Sequence, residues 1–149
     1  REFGERDVAD VLLCVGSALS HLHARGVVHL DVKPDNVYLS LEEEDGSGRA
    51  SYKLGDFGLA TLARGGHVAE EGDSRYLAQE LLNGDFSALE AADMFALGAT
   101  AYELARGQPL PTSGPQYQAI RHGKLALMPG FTVGFQGLVK QMLHEDPAQ

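Results

Sequence analysis

The stretch 91–104 is apolar on almost every side of a helix, and this feature restricts most strongly how the chain can fold. Other elements have to enclose such a helix, because any side left in water would lose the free energy gained by burying it. Ser87 and Glu90 have the spacing of a capping box and predict the start of the helix. We therefore expect a buried central helix around which the other elements pack.

Helical patterns are also present near both ends of the chain. Apolar residues three and four positions apart predict an amphipathic helix over 7–24, ending near Gly26. Ser113 is placed to begin a short helix that runs to about Arg121, and a final helix is expected over 133–143. Helices therefore dominate the predicted secondary structure.

Three short segments rich in β-forming residues, 27–29, 37–39 and 52–54, lie between the first helix and the central one. The last two predict a hairpin, so the fold class is mainly α, of the α+β type, with a small β-hairpin. Residues 42–48 are acidic and contain glycine, which predicts a solvated loop. Residues 58–80 are long for a connection and are punctuated by glycines, which is typical of a functional loop.

Charge and composition exclude several classes of partner. The sequence has 12 lysines and arginines against 21 aspartates and glutamates, and its formal net charge of -9 repels nucleic-acid phosphates and anionic membrane surfaces. The single cysteine, Cys14, cannot form an intrachain disulfide, which fits a reducing compartment. No apolar run approaches the length that spans a membrane. We expect a soluble intracellular protein with no nucleic-acid or membrane partner.

Four polar residues have the types and the order that phosphoryl transfer needs. Asp31, Lys33 and Asn36 lie in one loop, and Asp56 begins the tripeptide Asp-Phe-Gly further along the chain. The protein's task in this reaction is to align a hydroxyl with the phosphate and to neutralise charge on the moving group. Asp31 is placed to accept the proton of the hydroxyl, and Lys33 can offer a cation to the phosphoryl group. Asn36 and Asp56 supply the hard oxygen ligands that suit Mg²⁺.

Each of these motifs alone also has a structural interpretation. Asp-Phe-Gly is an ordinary turn tripeptide, and an Asp followed by an Asn in a loop commonly caps or turns the backbone. The order of strand, polar loop, hairpin, Asp-Phe-Gly, long loop and buried helix favours catalysis over these alternatives. His29 is predicted to have a structural role, and it is left out of the catalytic set.

This order of motifs resembles the C-terminal lobe of the protein kinase fold over nearly the whole chain. The pattern matches the kinase catalytic loop over 29–36 except at its second residue, Leu30. The resemblance implies that ATP and Mg²⁺ are the cofactors, with Lys33, Asn36 and Asp56 contacting them. It also implies that Asp93, near the start of the central helix, accepts hydrogen bonds from the backbone of the catalytic loop.

Several further segments carry a narrower resemblance: His29-Leu30-Asp31-Val32-Lys33-Pro34, Lys53-Leu54-Gly55-Asp56-Phe57-Gly58, Glu71-Gly72-Asp73-Ser74-Arg75-Tyr76-Leu77-Ala78, Pro109-Leu110-Pro111, Arg121-His122-Gly123-Lys124-Leu125 and Met142-Leu143-His144-Glu145-Asp146-Pro147. They resemble the Wee-one and Myt family of cell-cycle inhibitory kinases, and Ala78-Gln79-Glu80 and Tyr102-Glu103-Leu104 favour its plant-type Wee-one branch. The resemblance implies a nuclear kinase that phosphorylates an inhibitory tyrosine in the glycine-rich loop of cyclin-dependent kinases and so restrains the onset of mitosis.

Two alternatives stay open at this point. Lys33-Pro34 is the form usual in serine/threonine kinases, so a generic serine/threonine kinase is the first. The second is a pseudokinase that only presents a binding surface. The presence of Asp31, Lys33 and Asn36 together with Asp56 favours the enzyme.

Three parts of a working kinase are not found in the sequence: the glycine-rich loop, the strand lysine and the helix glutamate that pairs with it. The chain also begins without Met and ends at Asp146-Pro147-Ala148-Gln149. We therefore expect 1–149 to be a partial kinase domain without the N-terminal lobe and the last helix. Alone, it is expected to be inactive.

Overall fold

The helix α3 (Leu89–Arg106) lies at the centre of the computed structural model, which describes residues 2–40, 46, 51–64 and 71–144. Every residue over 95–102 is buried, as the apolar pattern predicts. The polar member of this run, Thr100, donates its hydroxyl to the carbonyl of Ala96 at 2.9 Å. A buried hydroxyl that is satisfied within its own helix does not oppose burial, so the middle of α3, over 95–102, can be enclosed on all sides.

The start of α3 differs from the prediction, because the expected capping box is wrong. The backbone N–H and the hydroxyl of Ser87 both donate to Asp85 Oδ1, at 3.0 and 2.6 Å. The N-cap of the helix is Ala88, and no side chain caps it. Asp85 thus holds Ser87 in the local turn that Asp commonly forms, and the N-cap falls at Ala88 and not at Ser87.

The other long helices follow the sequence patterns closely. Helix α1 (Glu5–His23) begins two residues earlier than predicted, and α4 (Gly114–Arg121) and α5 (Val133–Met142) lie where helices are expected. Thr132 caps α5 by accepting a bond from the N–H of Phe135 at 3.2 Å. The short α2 (Gln79–Leu82) was not predicted. In the parts of the chain that the structure describes, no helix has both the length and the apolar character needed to cross a membrane.

Two small antiparallel sheets complete the fold. The predicted hairpin is confirmed: β2 (Val37–Ser40) pairs with β3 (Ser51–Leu54). The other sheet joins β1 (Val27–Val28) to β4 (Thr61–Leu62). Because β4 lies within the stretch that was predicted as a loop, the sequence missed this pairing. A two-residue strand carries too little alternation to be recognised without its partner.

Some predictions fall outside the residues that the structure describes. The acidic loop predicted over 42–48 lies outside the described residues, apart from Gly46. Residues 65–70 of the predicted long loop also lie outside them.

The apolar core is divided into two clusters, and each includes a residue of the polar loop: Val32 in the larger and Leu30 in the smaller. The larger one packs α1 and α5 against α3, with Val8, Val15 and Leu19 fully buried. The smaller one joins the polar loop to α2 and to the start of α3; its buried members are Val28, Leu30, Leu77, Leu81, Leu89 and Ala92. The polar loop is therefore packed against apolar side chains and is not a freely solvated segment.

Close contact between α3 and α5 leads to a first prediction at Gly98. A Cβ atom at this position would lie 2.8 Å from the Cβ of Met142 and 3.3 Å from Leu143. We expect Gly98→Ala to lower the free energy of unfolding by about 1–3 kcal/mol, because the two helices must separate to admit the methyl group. Urea unfolding of the intact protein measures this.

Gly137, in α5, gives the matched control. A Cβ atom there meets nothing within 4 Å, so Gly137→Ala should leave stability unchanged or raise it by up to about 1 kcal/mol. Equal stability of the two variants would contradict the tight α3–α5 packing.

Candidate active site

The hairpin brings two of the predicted site residues together. A short 3-10 helix, Pro34–Asn36, leads into β2, whose Val37 pairs with Leu54 of β3. The N–H of Gly55 donates to the carbonyl of Asn36 at 2.9 Å, which continues the ladder by one step. Asp56 is the next residue, so the strand register places it beside Asn36.

Asp31, Lys33 and Asn36 form a contiguous polar cluster. The side-chain amide of Asn36 donates to the backbone carbonyl of Asp31 at 2.7 Å and to its Oδ2 atom at 3.0 Å. Lys33 Nζ lies 3.8 Å from Asp31 Oδ1. Asn36 is buried, whereas Asp31 and Lys33 retain some exposed surface. The carboxylate of Asp31 is thus oriented from both sides and still open to an incoming group.

A buried carboxylate from α3 holds the backbone that precedes Asp31. Asp93 has no exposed surface, and it accepts the N–H of His29 on Oδ2 and the N–H of Leu30 on Oδ1, both at 2.8 Å. His23 Nε2 donates to Oδ2 at 2.8 Å. The implied role of Asp93 as an anchor for the catalytic-loop backbone is therefore observed in the geometry.

The anchor holds a strained conformation. Leu30 has a φ of 65°, a left-handed backbone conformation that residues with bulky side chains rarely adopt. Such a residue costs about 1–3 kcal/mol and persists only where its surroundings determine it. Two interactions stabilise this conformation of Leu30: the hydrogen bond from its N–H to Asp93, and the packing of its side chain in the smaller apolar cluster.

His29 has the structural role that the sequence predicts. It is fully buried, with Nε2 bonded to the carbonyl of Gly55 at 2.9 Å and Nδ1 accepting the N–H of Asp31 at 3.1 Å. Its ring also meets the edge of Phe57, with centroids 5.1 Å apart. One imidazole therefore ties the loop that carries Asp31 to the segment that carries Asp56.

Asn36 and Asp56 are suited to hold Mg²⁺. The amide nitrogen of Asn36 faces Asp31, which directs its amide oxygen to the other side. Asp56 uses Oδ1 to accept the N–H of Gly58 at 3.2 Å and has a second carboxylate oxygen. In the described residues, no group of three or more His, Cys, Asp or Glu forms a metal cage. Two oxygen ligands fit Mg²⁺ nonetheless, because it commonly binds one or two carboxylates together with substrate phosphates and water.

The segment 72–77 lies directly against this cluster. A Cβ atom on Gly72 would come within 2.8 Å of the carbonyl oxygen of Leu30 and 3.3 Å of Asp31 Oδ1, so glycine permits the close approach. Next to it, Arg75 binds Asp73 in a bidentate pair, with Nε 3.0 Å from Oδ1 and a terminal nitrogen 2.7 Å from Oδ2. This pair holds the pKa of Asp73 below its usual range.

Tyr76 is a site residue that the sequence did not reveal. It is buried and donates its hydroxyl to Glu103 Oε2 at 2.8 Å. Glu103 also accepts the N–H of Leu110 at 3.2 Å. Burial, together with the bond to Glu103, raises the pKa of Tyr76. The one sequence signal for this link is Glu103, a charged residue in the mainly apolar stretch 91–104, where a carboxylate requires a partner.

The structure has a buried helix that anchors a strained polar loop, and a hairpin that places Asp56 beside that loop. This is the arrangement expected of the C-terminal lobe of a protein kinase. The family described as Protein kinase domain matches residues 1–149, and the chain belongs to that family. The fold class predicted from the sequence is thereby confirmed.

Individual relatives show which kind of protein kinase the chain resembles. The chain is 45% identical over 143 residues to the Wee1-like protein kinase of Oryza sativa subsp. japonica, covering 96% of this chain and 26% of that protein. It is 43% identical over 143 residues to the Wee1-like protein kinase of Arabidopsis thaliana, covering 96% and 27%. It is 39% identical over 158 residues to Wee1-like protein kinase 1-B of Xenopus laevis, covering 97% and 26%.

These relatives confirm the resemblance to Wee-one kinases, plant ones among them. The chain spans about a quarter of the length of the curated relatives it matches.

The bond between His23 and Asp93 makes stability depend on pH in a specified direction. It raises the pKa of His23 above its usual value of 6.5, against the opposing effect of burial. A raised folded-state pKa means that the stabilisation is fully present below pH 6.5 and is lost as pH rises through the raised value. We expect the free energy of unfolding of the intact protein to decrease over that window.

His23→Gln should flatten this decrease, because glutamine retains a donor but does not titrate. His21→Gln is the control, since His21 is exposed and lies in the same helical turn. Urea unfolding from about pH 5 to about pH 9 measures the effect. A pH dependence that survives in the His23 variant would contradict the assignment.

Proposed function

We propose that the intact protein is an ATP-dependent protein kinase of the Wee1 type. The observation that carries the proposal is the polar cluster in which Asn36 orients the Asp31 carboxylate, with Lys33 Nζ 3.8 Å from it. Its supports are the match to the protein kinase family and the similarity to Wee1-like kinases. A pseudokinase would have no use for this set of catalytic residues, so the binding-module alternative is disfavoured.

In this proposal Asp31 accepts a hydrogen bond from the hydroxyl of the protein substrate and takes its proton during transfer. Lys33 provides a fixed cation beside the transferring phosphoryl group. Asn36 and Asp56 would hold Mg²⁺, which neutralises charge on the phosphates of ATP when bound. Asp93 acts through the backbone by keeping Asp31 in position.

We propose that the acceptor is the inhibitory tyrosine in the glycine-rich loop of a cyclin-dependent kinase, and that phosphorylation in the nucleus restrains the onset of mitosis. The similarity to Wee1-like kinases supports this choice. One local feature favours a second candidate: Lys33-Pro34 is the form usual in serine/threonine kinases. A generic serine/threonine kinase is therefore the alternative to be tested.

Residues 1–149 supply the C-terminal lobe in this proposal, and the lobe that grips the nucleotide belongs to the intact kinase. The 149 residues contain no glycine-rich loop over the phosphates and no strand lysine with its glutamate partner. For this reason the activity is proposed for the intact protein and not for this chain alone.

The acceptor can be identified with three forms of one substrate. The intact kinase is incubated with ATP, Mg²⁺ and a cyclin-dependent kinase that carries the glycine-loop tyrosine, or threonine or phenylalanine in its place. We expect phosphate on the tyrosine form only, because tyrosine is the acceptor that the similarity to Wee1-like kinases favours. Faster transfer to the threonine form would establish the serine/threonine alternative, and no transfer to any form would favour a pseudokinase.

The role of Asp31 is tested by Asp31→Asn in the intact kinase. The substitution keeps the shape and the bond to Asn36 but removes the proton acceptor, so turnover at saturating ATP should fall by about 10² to 10⁴. Asp35→Asn is the matched control, because Asp35 lies in the same loop and is exposed. Turnover of the Asp31 variant within about threefold of the control would remove Asp31 from this role.

A further inference from the structure

Arg121, the last residue of α4, is fully buried although it carries a charge. In the described part of the chain, no ion pair joins it to a carboxylate. Burying an unpaired guanidinium is unfavourable, and replacing such a group with an apolar side chain of similar size commonly does not reduce stability. An arginine at this position therefore calls for an explanation other than packing.

The guanidinium is directed at the backbone of one short turn. One terminal nitrogen donates to the carbonyls of Ser74 and Arg75, each at 2.7 Å. The other donates to the carbonyl of Tyr117, one helical turn back, at 3.2 Å. Its Nε atom is buried without a partner. The charge is thus satisfied by carbonyl oxygens, and two of them belong to the 3-10 helix Ser74–Tyr76.

Tyr117 completes a clamp on the same turn. Its ring lies under the guanidinium, with the central carbon of Arg121 3.6 Å from the ring centroid. Its hydroxyl donates to the carbonyl of Ser74 at 2.9 Å. Two side chains of α4 therefore converge on Ser74, and stacking on the ring fixes the plane in which the guanidinium donates.

The clamped turn is adjacent to the polar cluster. It follows Gly72, whose position against Leu30 and Asp31 is too close for a Cβ atom. Within the turn, Arg75 is bound to Asp73, and Tyr76 is bound to Glu103 of α3. The segment 72–77 therefore forms a wall beside Asp31, and α3 and α4 hold it at separate points. A hydroxyl that reaches Asp31 would therefore lie close to this segment, because a Cβ atom on Gly72 would be only 3.3 Å from the Asp31 carboxylate.

We propose that Arg121 is a positioning residue for the protein substrate: through the carbonyls of Ser74 and Arg75, it sets the place of the segment 72–77 relative to Asp31. The inference rests on the proposed kinase function and adds to it a specific determinant of protein-substrate binding. It predicts that loosening the clamp impairs use of the protein substrate far more than use of ATP.

The test compares Arg121→Met, Arg121→Lys and Tyr117→Phe in the intact kinase. We expect Arg121→Met to raise the KM for the protein substrate by about ten- to a hundredfold, with the KM for ATP changed by less than about twofold. Arg121→Lys should recover part of the loss, because an ammonium can still donate to the carbonyls but does not stack as a plane. Tyr117→Phe removes one hydroxyl and should cause a smaller change in the same direction.

Arg106→Met is the matched control. Arg106 also lies over a tyrosine ring, that of Tyr102 at 5.5 Å, and donates to the hydroxyl of this tyrosine, one helical turn back. It is exposed, and no hydrogen bond or ion pair joins it to the described segment 72–77. Its removal should leave both KM values unchanged. Equal changes in the two KM values for Arg121→Met, or no change in any folded variant, would overturn the inference. Should Arg121→Met fail to fold, Tyr117→Phe decides.

A second measurement separates this inference from the proposed function. Hydrogen exchange of the amides over Ser74–Tyr76 should accelerate in Arg121→Met and not in Arg106→Met, whether or not the kinase transfers phosphate. An inactive wild-type protein would refute the proposed function, whereas unchanged exchange in the Arg121 variant would refute the clamp.

Discussion

The buried carboxylate of Asp93 is the interaction on which the rest of the site depends. Its two oxygens receive the N–H groups of His29 and Leu30 and the ring of His23, all at 2.8 Å. A carboxylate without exposed surface is unfavourable unless hydrogen bonds satisfy it, and these three donors do so. In return, α3 fixes a backbone conformation that the loop would not adopt alone. The position of Asp31 is thus set by a helix more than sixty residues away in the sequence.

Independent elements converge on Asp31 from other directions. Asn36 reaches it from the 3-10 helix before the hairpin, and His29 links it to the segment of Asp56. Gly72 brings a further segment against it, which Glu103 and Arg121 hold from α3 and α4. Catalytic groups work best when packing and hydrogen bonds restrict their movement, and most of these supports come from helices. The mainly helical lobe therefore serves as a rigid base for a loop-borne site.

The failed predictions have identifiable physical causes. Ser87 has the residue type and spacing of a capping serine, but its N–H and hydroxyl are bound to Asp85 in a local turn, and Ala88 is the N-cap. Strand β4 has two residues, and it forms because the chain returns to β1, with Ala63 also bonded to Gly26 at 2.8 Å. Both failures are cases in which a competing or distant partner overrides a local preference.

The sequence by itself determined the helices α1, α3, α4 and α5 and the β2–β3 hairpin, and it singled out four polar residues as candidates for the site. These features follow from local sequence patterns. Apolar periodicity indicates which face of a helix is buried, and the order of the motifs indicates the chemistry. Tertiary structure alone decided how Asp31 is oriented, that Tyr76 binds Glu103, and that Arg121 clamps Ser74 and Arg75. A buried polar group must find its partner wherever the fold places one, and for Arg121 the acceptors are backbone carbonyls, which every residue possesses. No residue type marks such a partner in advance.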